Sequence, residues 1–360
     1  MAQKKIKIVF ILPSLAAGGA ERILSYVAQD LNVLEFETTL LVTGFKKDTV
    51  YNLPNLDIVY LNKTRVLKSV FAINQYLKVN KPHIVVTSIV HLNTVTAFIS
   101  LKYPKIKFVA REANVLTTLN KYNPYTKSIF PKFLVKLAYK LVDKIICQSR
   151  DMLDDMVHNY GVSIHKTVLI NNPITHVSAV KHKQRSDINS LKFITVARLS
   201  KEKGHDRLLE ALSKITFNFT YTIIGSGNEK QNILHLVKTY KLEDKIQFIA
   251  YTDKVSYYLS NSDLFLQGSY VEGFPNVLLE SCVVGTPILA FKAPGGLDEI
   301  ISHGQNGYIA NNMDEYVTYL NNINSNFIFK PENVSATVKN KFDSKIILNK
   351  YETLFKSLIP

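Results

Sequence analysis

Short apolar runs alternate with amphipathic stretches along most of this chain. Residues 7–12, 38–43, 57–61, 84–87, 107–110 and 144–148 are β-rich, and several are apolar on both faces. Strands read this way when helices cover both sides of a parallel sheet. Between some of them, residues 19–31, 70–79 and 94–101 carry helical spacing. The pattern pauses at 174–190, where the chain is polar and aperiodic, as linkers are. It resumes with strands predicted at 192–197, 220–224, 246–249, 264–267 and 287–291, and helices at 206–214, 229–240, 255–259 and 275–284. Residues 334–359 predict a closing helix, because Val338, Phe342, Ile346, Leu348, Tyr351, Leu354 and Phe355 recur at near-helical spacing. Such alternation specifies doubly wound α/β sheets. Two α/β domains are expected, at 1–175 and 191–340, with a linker at 176–190 and a final helix at 341–360.

Composition supports a folded protein with material for two cores: 360 residues, 46% hydrophobic and 20% charged. No apolar run is long enough to span a bilayer. The N-terminus has a basic start and an apolar run, but the run is short and enters Pro13 and a Gly-Gly turn without a small-residue cleavage site. It reads as a first buried strand. Cys147 and Cys282 offer no disulfide framework, which fits a reducing cytoplasm, and both read as buried filler.

Charge changes the picture more. The formal net charge is +15, yet residues 1–175 hold 23 basic and 11 acidic residues, and 61–144 hold 15 basic against only Glu112 and Asp143. Nucleic acid, an anionic membrane surface or a phosphate-bearing acceptor would each suit such a face, and so would plain solvation. Residues 125–142 predict a basic amphipathic helix, with Lys132, Lys136 and Lys140 on one face and Phe130, Phe133, Leu134, Leu137 and Leu141 on another. Helices of this kind lie on anionic bilayers. Set in the basic region, this one points to membrane association of the N-terminal domain.

Five stretches carry candidate chemistry. Gly18 and Gly19 follow the first strand and open a helix, where close backbone approach and amide donors favour a ligand. A tight turn with no ligand would look similar. Arg198 and Lys203 follow the first strand of the second domain, where ligands of open α/β sheets bind, and two cations there suit a diphosphate. Gly225 and Gly227 form another strand-to-helix glycine turn suited to a nucleotide. The segment Glu272-Gly273-Phe274-Pro275-Asn276-Val277-Leu278-Leu279-Glu280 places two carboxylates across a loop–helix junction. Pro275 is expected in the first helical turn, and the amides of Gly273, Phe274 and Asn276 are candidate donors. Ala293-Pro294-Gly295-Gly296 adds one more glycine turn before a helix.

In this order and spacing, the motifs resemble the family 4 retaining glycosyltransferases of bacterial surface polysaccharide synthesis. The resemblance spans essentially the whole chain. It is carried by Arg198…Lys203-Gly204, by Glu272…Glu280 with its Gly285-Thr286-Pro287-Ile288 continuation, by Gly18-Gly19-Ala20-Glu21 and by Asn172-Pro173. It implies the GT-B fold: two Rossmann-like domains facing across a cleft, with the last helix returning to the first domain. It further implies that Arg198 and Lys203 bind the donor diphosphate, Glu280 the ribose, and Glu272 the donor sugar near the reacting carbon. Gly225, Gly227, Gly273, Phe274, Pro275 and Asn276 complete the donor side, and Gly18 and Gly19 line the cleft. No metal and no cofactor are expected; a nucleotide sugar, UDP-linked by resemblance, is the co-substrate. Many relatives carry a His where this chain reads Arg111-Glu112-Ala113-Asn114. That variant resembles members that transfer N-acetylhexosamine to a lipid-linked sugar. Arg111 would then meet an acceptor phosphate and Glu112 an acceptor hydroxyl; the alternative is a mutually neutralising surface pair. His91, at the end of another strand, is a candidate to line the acceptor side, the alternative being a structural histidine.

The implied protein is a cytoplasmic enzyme, peripheral at the inner face of the membrane, with a polyprenyl-diphosphate-linked saccharide as acceptor. Charge alone suggests a nucleic-acid binder, but no RNP, helix-turn-helix or zinc signature accompanies it. The absence of G-x-G-x-x-G with its acidic ribose partner argues against a nicotinamide oxidoreductase. A catalytically silent scaffold is the other alternative, opposed by the intact Arg198, Lys203, Glu272 and Glu280.

Overall fold

In the computed structural model, which describes residues 4–122, 130–181 and 190–359, the apolar runs become two fully parallel sheets. The first sheet contains β1 (Ile6–Leu12), β2 (Phe36–Val42), β3 (Asp57–Tyr60), β4 (Ile84–Ser88), β5 (Lys107–Arg111), β6 (Lys144–Cys147) and β7 (Thr167–Leu169) in the order β3-β2-β1-β4-β5-β6-β7. The second contains β8 (Leu191–Val196), β9 (Phe219–Ile224), β10 (Ile246–Ile249), β11 (Leu264–Gln267), β12 (Ile288–Phe291) and β13 (Gly307–Ala310) in the order β10-β9-β8-β11-β12-β13. Register is direct: Val9 of β1 lies opposite Thr39 of β2 and Val85 of β4. Strands β7 and β13 were not predicted. Both are short edge strands with half-exposed residues, too brief to show a period. Each sheet reverses its order beside its first strand, between β1 and β4 and between β8 and β11. Open α/β sheets hold ligands beyond the carboxyl ends of strands at such points.

The chain forms two compact units. The first comprises residues 4–113, 130–175 and 344–359, and the second 114–122, 176–181 and 190–343. Residues 114–122, expected in the first domain, belong to the second unit. There the helix Leu116–Tyr122 buries Leu116 and Leu119, and Tyr122 stacks on Tyr270 at 4.7 Å. The predicted closing helix is two helices, Pro331–Phe342 and Ser344–Ser357, separated by extended backbone at Asp343. The break lets each face its own core. Val334, Val338 and Phe342 are buried in the second unit, and Phe342 meets Phe274 edge-on at 5.4 Å. Ile347, Tyr351, Leu354 and Phe355 join Ile8, Phe10 and Phe36 in the core of the first.

The basic helix begins at Lys132 and ends at Leu141; residues 125–129 lie outside the described ones. Its buried side is Val135, Ala138 and Tyr139, not the apolar face drawn from the sequence. Phe133 and Leu137 are 67% and 47% exposed, beside exposed Lys132 and Lys140. Among the described residues no helix is long and apolar enough to cross a membrane. Cys147 and Cys282 are free and buried, and burial raises both thiols above their ordinary pKa.

Candidate active site

The loops after β8, β9, β11 and β12 leave the same edge of the second sheet, since parallel strands end together. After β8 the backbone turns at Gly204, in the left-handed region at φ 58°. A Cβ there would lie 1.9 Å from the carbonyl oxygen of Gly268. Both constraints demand glycine. The turn therefore brings the loop carrying Arg198 and Lys203 onto the loop carrying Glu272.

Lys203 Nζ lies 2.6 Å from Glu272 Oε1, with the two side chains only 17% and 7% exposed. The same oxygen accepts from Gln267 Nε2 at 2.7 Å and from Ser269 Oγ at 2.5 Å. The Glu272 amide donates to the carbonyl of Pro294 at 2.9 Å, which ties in the loop after β12. Charge-assisted bonds of this kind are short and strong. Three donors on one oxygen fix the aim of the carboxylate, and Oε2 takes part in none of the three. Arg198 is different. Its side chain is 67% exposed, and Nη2 stands 3.5 Å from Oε1 of buried Glu202. Gln267 and Ser269 escaped the sequence reading. Their signal was Gln-Gly-Ser at the end of an otherwise apolar strand, Leu264-Phe265-Leu266.

The glycine turn after β9 packs against the protein's own backbone. A Cβ on Gly225 would fall 1.9 Å from the Ala197 carbonyl oxygen, and one on Gly227 would fall 2.2 Å from that of Leu199. The Leu199 amide donates to Ser226 and its carbonyl accepts from Glu229, both at 2.9 Å. The close approach is to the protein's own backbone, and it supports the Arg198 loop from below. Gly273 and Phe274 are buried, and the Phe274 ring belongs to the core with Phe342. Pro275 caps the helix Asn276–Val283 rather than entering its first turn. Asn276 and Glu280 are half-buried on that helix.

In the first unit, Gly18 caps the helix Gly19–Asp30. Tyr51 OH bonds both its amide and its carbonyl at 2.8 Å. The Glu21 carboxylate folds back so closely that a Cβ on Gly18 would lie 2.1 Å from its Oε2. This helix end, which attracts negative charge, already has a carboxylate on it. His91 sits half-buried in the first turn of the helix Val90–Ser100, and burial lowers its pKa. Just before it, Ile89 has φ 78°, a strained backbone for a β-branched residue and worth about 1–3 kcal/mol.

The structure corrects the acceptor roles expected of Arg111 and Glu112. Both are fully buried at the end of β5, a strand flanked by β4 and β6. Arg111 donates to Asn172 Oδ1 at 2.6 Å, Tyr351 OH at 3.2 Å and Ser88 Oγ at 3.5 Å, tying the C-terminal helix to the sheet. Glu112 Oε1 accepts from Asn93 Nδ2 at 2.9 Å and from Tyr139 OH, and the Glu112 carbonyl accepts from Gln148. Glu112 Oε2 is buried without a partner among the described residues. Burial pushes this carboxyl up to about 8, with the Asp155 charge adding to the effect.

Two family models match consecutive parts of the chain: "Glycosyltransferase Family 4" over residues 17–176 and "Glycosyl transferases group 1" over residues 178–334. The chain belongs to the family 4 glycosyltransferases. It is 27% identical over 317 residues to N-acetylgalactosamine-N,N'-diacetylbacillosaminyl-diphospho-undecaprenol 4-alpha-N-acetylgalactosaminyltransferase of Campylobacter jejuni, covering 84% of this chain and 85% of that protein. It is 26% identical over 266 residues to N-acetyl-alpha-D-glucosaminyl L-malate synthase of Bacillus anthracis, covering 71% and 62%. Among solved structures, sucrose-phosphate synthase from Thermosynechococcus elongatus superposes with TM-score 0.83 at 16% identity, covering 98% of this chain and 99% of that one. Anabaena HepE in complex with UDP-glucose superposes at 0.79 with 18% identity, covering 98% and 100%. These likenesses show that the glycosyltransferase has the GT-B fold expected from its motifs.

Proposed function

We propose that this glycosyltransferase transfers an N-acetylhexosamine or hexose from a UDP-sugar, with retention, to a polyprenyl-diphosphate-linked saccharide in bacterial surface polysaccharide synthesis. The observation that carries the reading is the Lys203–Glu272 pair, held by Gln267 and Ser269 at the switch point of the second sheet. Glu272 Oε2 is the oxygen that meets the donor sugar. Lys203, with two further ammonium protons, and the exposed fork of Arg198 meet the diphosphate. Preorganised cations at a leaving group lower the barrier where charge develops. They do so here in place of a metal, and the departing phosphate takes the acceptor's proton on the face it leaves. Glu280 grips the ribose.

The lipid-linked acceptor is supported by the Campylobacter relative, whose name specifies a diphospho-undecaprenol-linked substrate. UDP is supported by the UDP-glucose complex of HepE. Phe133 and Leu137, exposed among lysines, dock the first unit on the inner face of the membrane. The test incubates the purified protein with a panel of UDP- and GDP-sugars, with and without membrane extract, and measures nucleotide release. Release from one donor, raised by extract and strongly reduced but measurable in Glu272→Gln, supports the reading. Release from no donor returns the silent scaffold.

A further inference from the structure

One side chain touches the Glu272 loop from beneath without belonging to any motif. Arg207, on the helix His205–Ser213, donates through Nε to the carbonyl of Gly268 and through Nη2 to that of Ser269. Its guanidinium lies over the ring of Tyr270 at 4.3 Å and over that of Phe291 at 4.4 Å. Tyr122 stacks on Tyr270 at 4.7 Å and 5°, and Tyr316 stacks on Phe291 at 4.0 Å and 9°. The arginine already occupies one face of each ring, so these outer tyrosines take the opposite faces. The result is a five-layer column, Tyr122–Tyr270–Arg207–Phe291–Tyr316, all within the second unit. Tyr270 OH donates to Asp206 Oδ2 at 2.9 Å, and the Tyr270 amide donates to the Glu202 carbonyl at 2.8 Å.

The column needs a guanidinium. A planar, weakly hydrated cation stacks on aromatic faces while its edge donates to two carbonyls; an ammonium is a point charge and cannot do both. The two carbonyls it holds follow Gln267 and precede Tyr270. The side chains of Gln267 and Ser269, on either side of the Gly268 carbonyl, are two of the three donors that fix Glu272 Oε1. Arg207 thus grips the backbone from which the aim of Glu272 is set. It also comes from the same helix that Gly204 begins, so one element carries both Lys203's turn and the loop's anchor.

We infer that Arg207 is a positioning residue for sugar transfer, acting through Glu272; this rests on the reading of Glu272 given above. The test is a double-mutant cycle of Arg207→Lys with Glu272→Gln, read as kcat and KM for the donor that the wild-type protein uses. Arg207→Lys keeps the charge and loses the fork and the stack. Its kcat should fall about 10-fold or more, because small misplacements at a reacting centre are costly, with donor KM within about 3-fold of wild type. Added to Glu272→Gln, it should cause no further loss, since the two act as one unit. Tyr122→Leu, which removes only the outer layer, should give a smaller loss and guards against a variant that fails to fold. Wild-type kcat in Arg207→Lys, or losses that multiply across the cycle, overturns the inference alone. Wild-type turnover retained in Glu272→Gln overturns the reading of Glu272 itself.

Discussion

Glu112 offers a pH test that needs no substrate. Its carboxyl is fully buried, and burial, helped by the charge of Asp155, raises its pKa from 4.5 to about 8. In the unfolded chain it titrates near its ordinary value of about 4.3. Between these values the folded protein holds a proton that the unfolded chain has released. Raising the pH therefore favours unfolding; the contribution is fully present below about 4.5 and lost by about 8. Each unit inside that window removes about 1.4 kcal/mol, or about 5 kcal/mol across it. That is a large share of a typical stability of about 5–15 kcal/mol. Glu112→Gln imitates the protonated acid: it keeps an oxygen for Asn93 and Tyr139 and cannot ionise. The chain has no tryptophan, so far-ultraviolet circular dichroism in urea follows unfolding. The wild-type midpoint should fall steadily from about pH 5 to about pH 8, and the variant's should fall less, by about 1.4 kcal/mol per unit. Other titrating groups shift both proteins alike. Parallel curves for the two would refute a protonated Glu112.

Gly204→Ala should lose more than about 2 kcal/mol, because strain and a backbone clash combine. Gly161→Ala is the control: φ is 68° but nothing lies within 4 Å, so strain acts alone and its urea midpoint should drop less. Lys203→Ala leaves the nearly buried Glu272 carboxylate short of its cation and should cost about 3 kcal/mol as well as turnover. Arg198→Ala, at an exposed ion pair, should cost under about 1 kcal/mol while still lowering turnover; equal melting losses would contradict this division of labour. Phe133→Ser with Leu137→Ser should weaken sedimentation with phosphatidylserine vesicles at low salt about 10-fold or more, since each apolar side chain contributes about 1–2 kcal/mol when buried. Unchanged binding would remove this helix from the membrane contact.

Most of the fold was legible because parallel strands are apolar on both faces and this chain keeps them short and well separated. The strands it concealed, β7 and β13, lie at sheet edges, where one neighbour and half-exposed residues leave little pattern. The closing helices read as one because Val338, Phe342, Ile346 and Tyr351 keep near-helical spacing across the break. Nothing in that spacing says that the core being faced changes at Asp343. Arg198, Lys203 and Glu272 were legible from charge at strand ends. Gln267, Ser269 and Arg207 were not, because their work is to hold the loop and not to present charge to it.

The misread residues share a cause. A sequence shows that a glycine lacks a Cβ, but not what fills the space. At Gly225 and Gly227 the space is taken by the backbone of 197–199, so the turn packs directly on the Arg198 loop. A sequence also shows a charged pair after a strand, but not how many strands flank it. Arg111 and Glu112 end β5, with β4 on one side and β6 on the other, and the surrounding polar groups close over them. The loop after β8 differs because the strand order reverses beside it. Its neighbour, the loop after β11, then comes from the other half of the sheet, and the two meet where Gly204 and Gly268 touch, where the Tyr270 amide donates to the Glu202 carbonyl and where Lys203 reaches Glu272. At that gap Lys203 and Glu272 pair with each other across two loops, whereas Arg111 and Glu112 at the end of β5 pair with polar groups of their own core. That difference in partners follows from strand order more than from residue type.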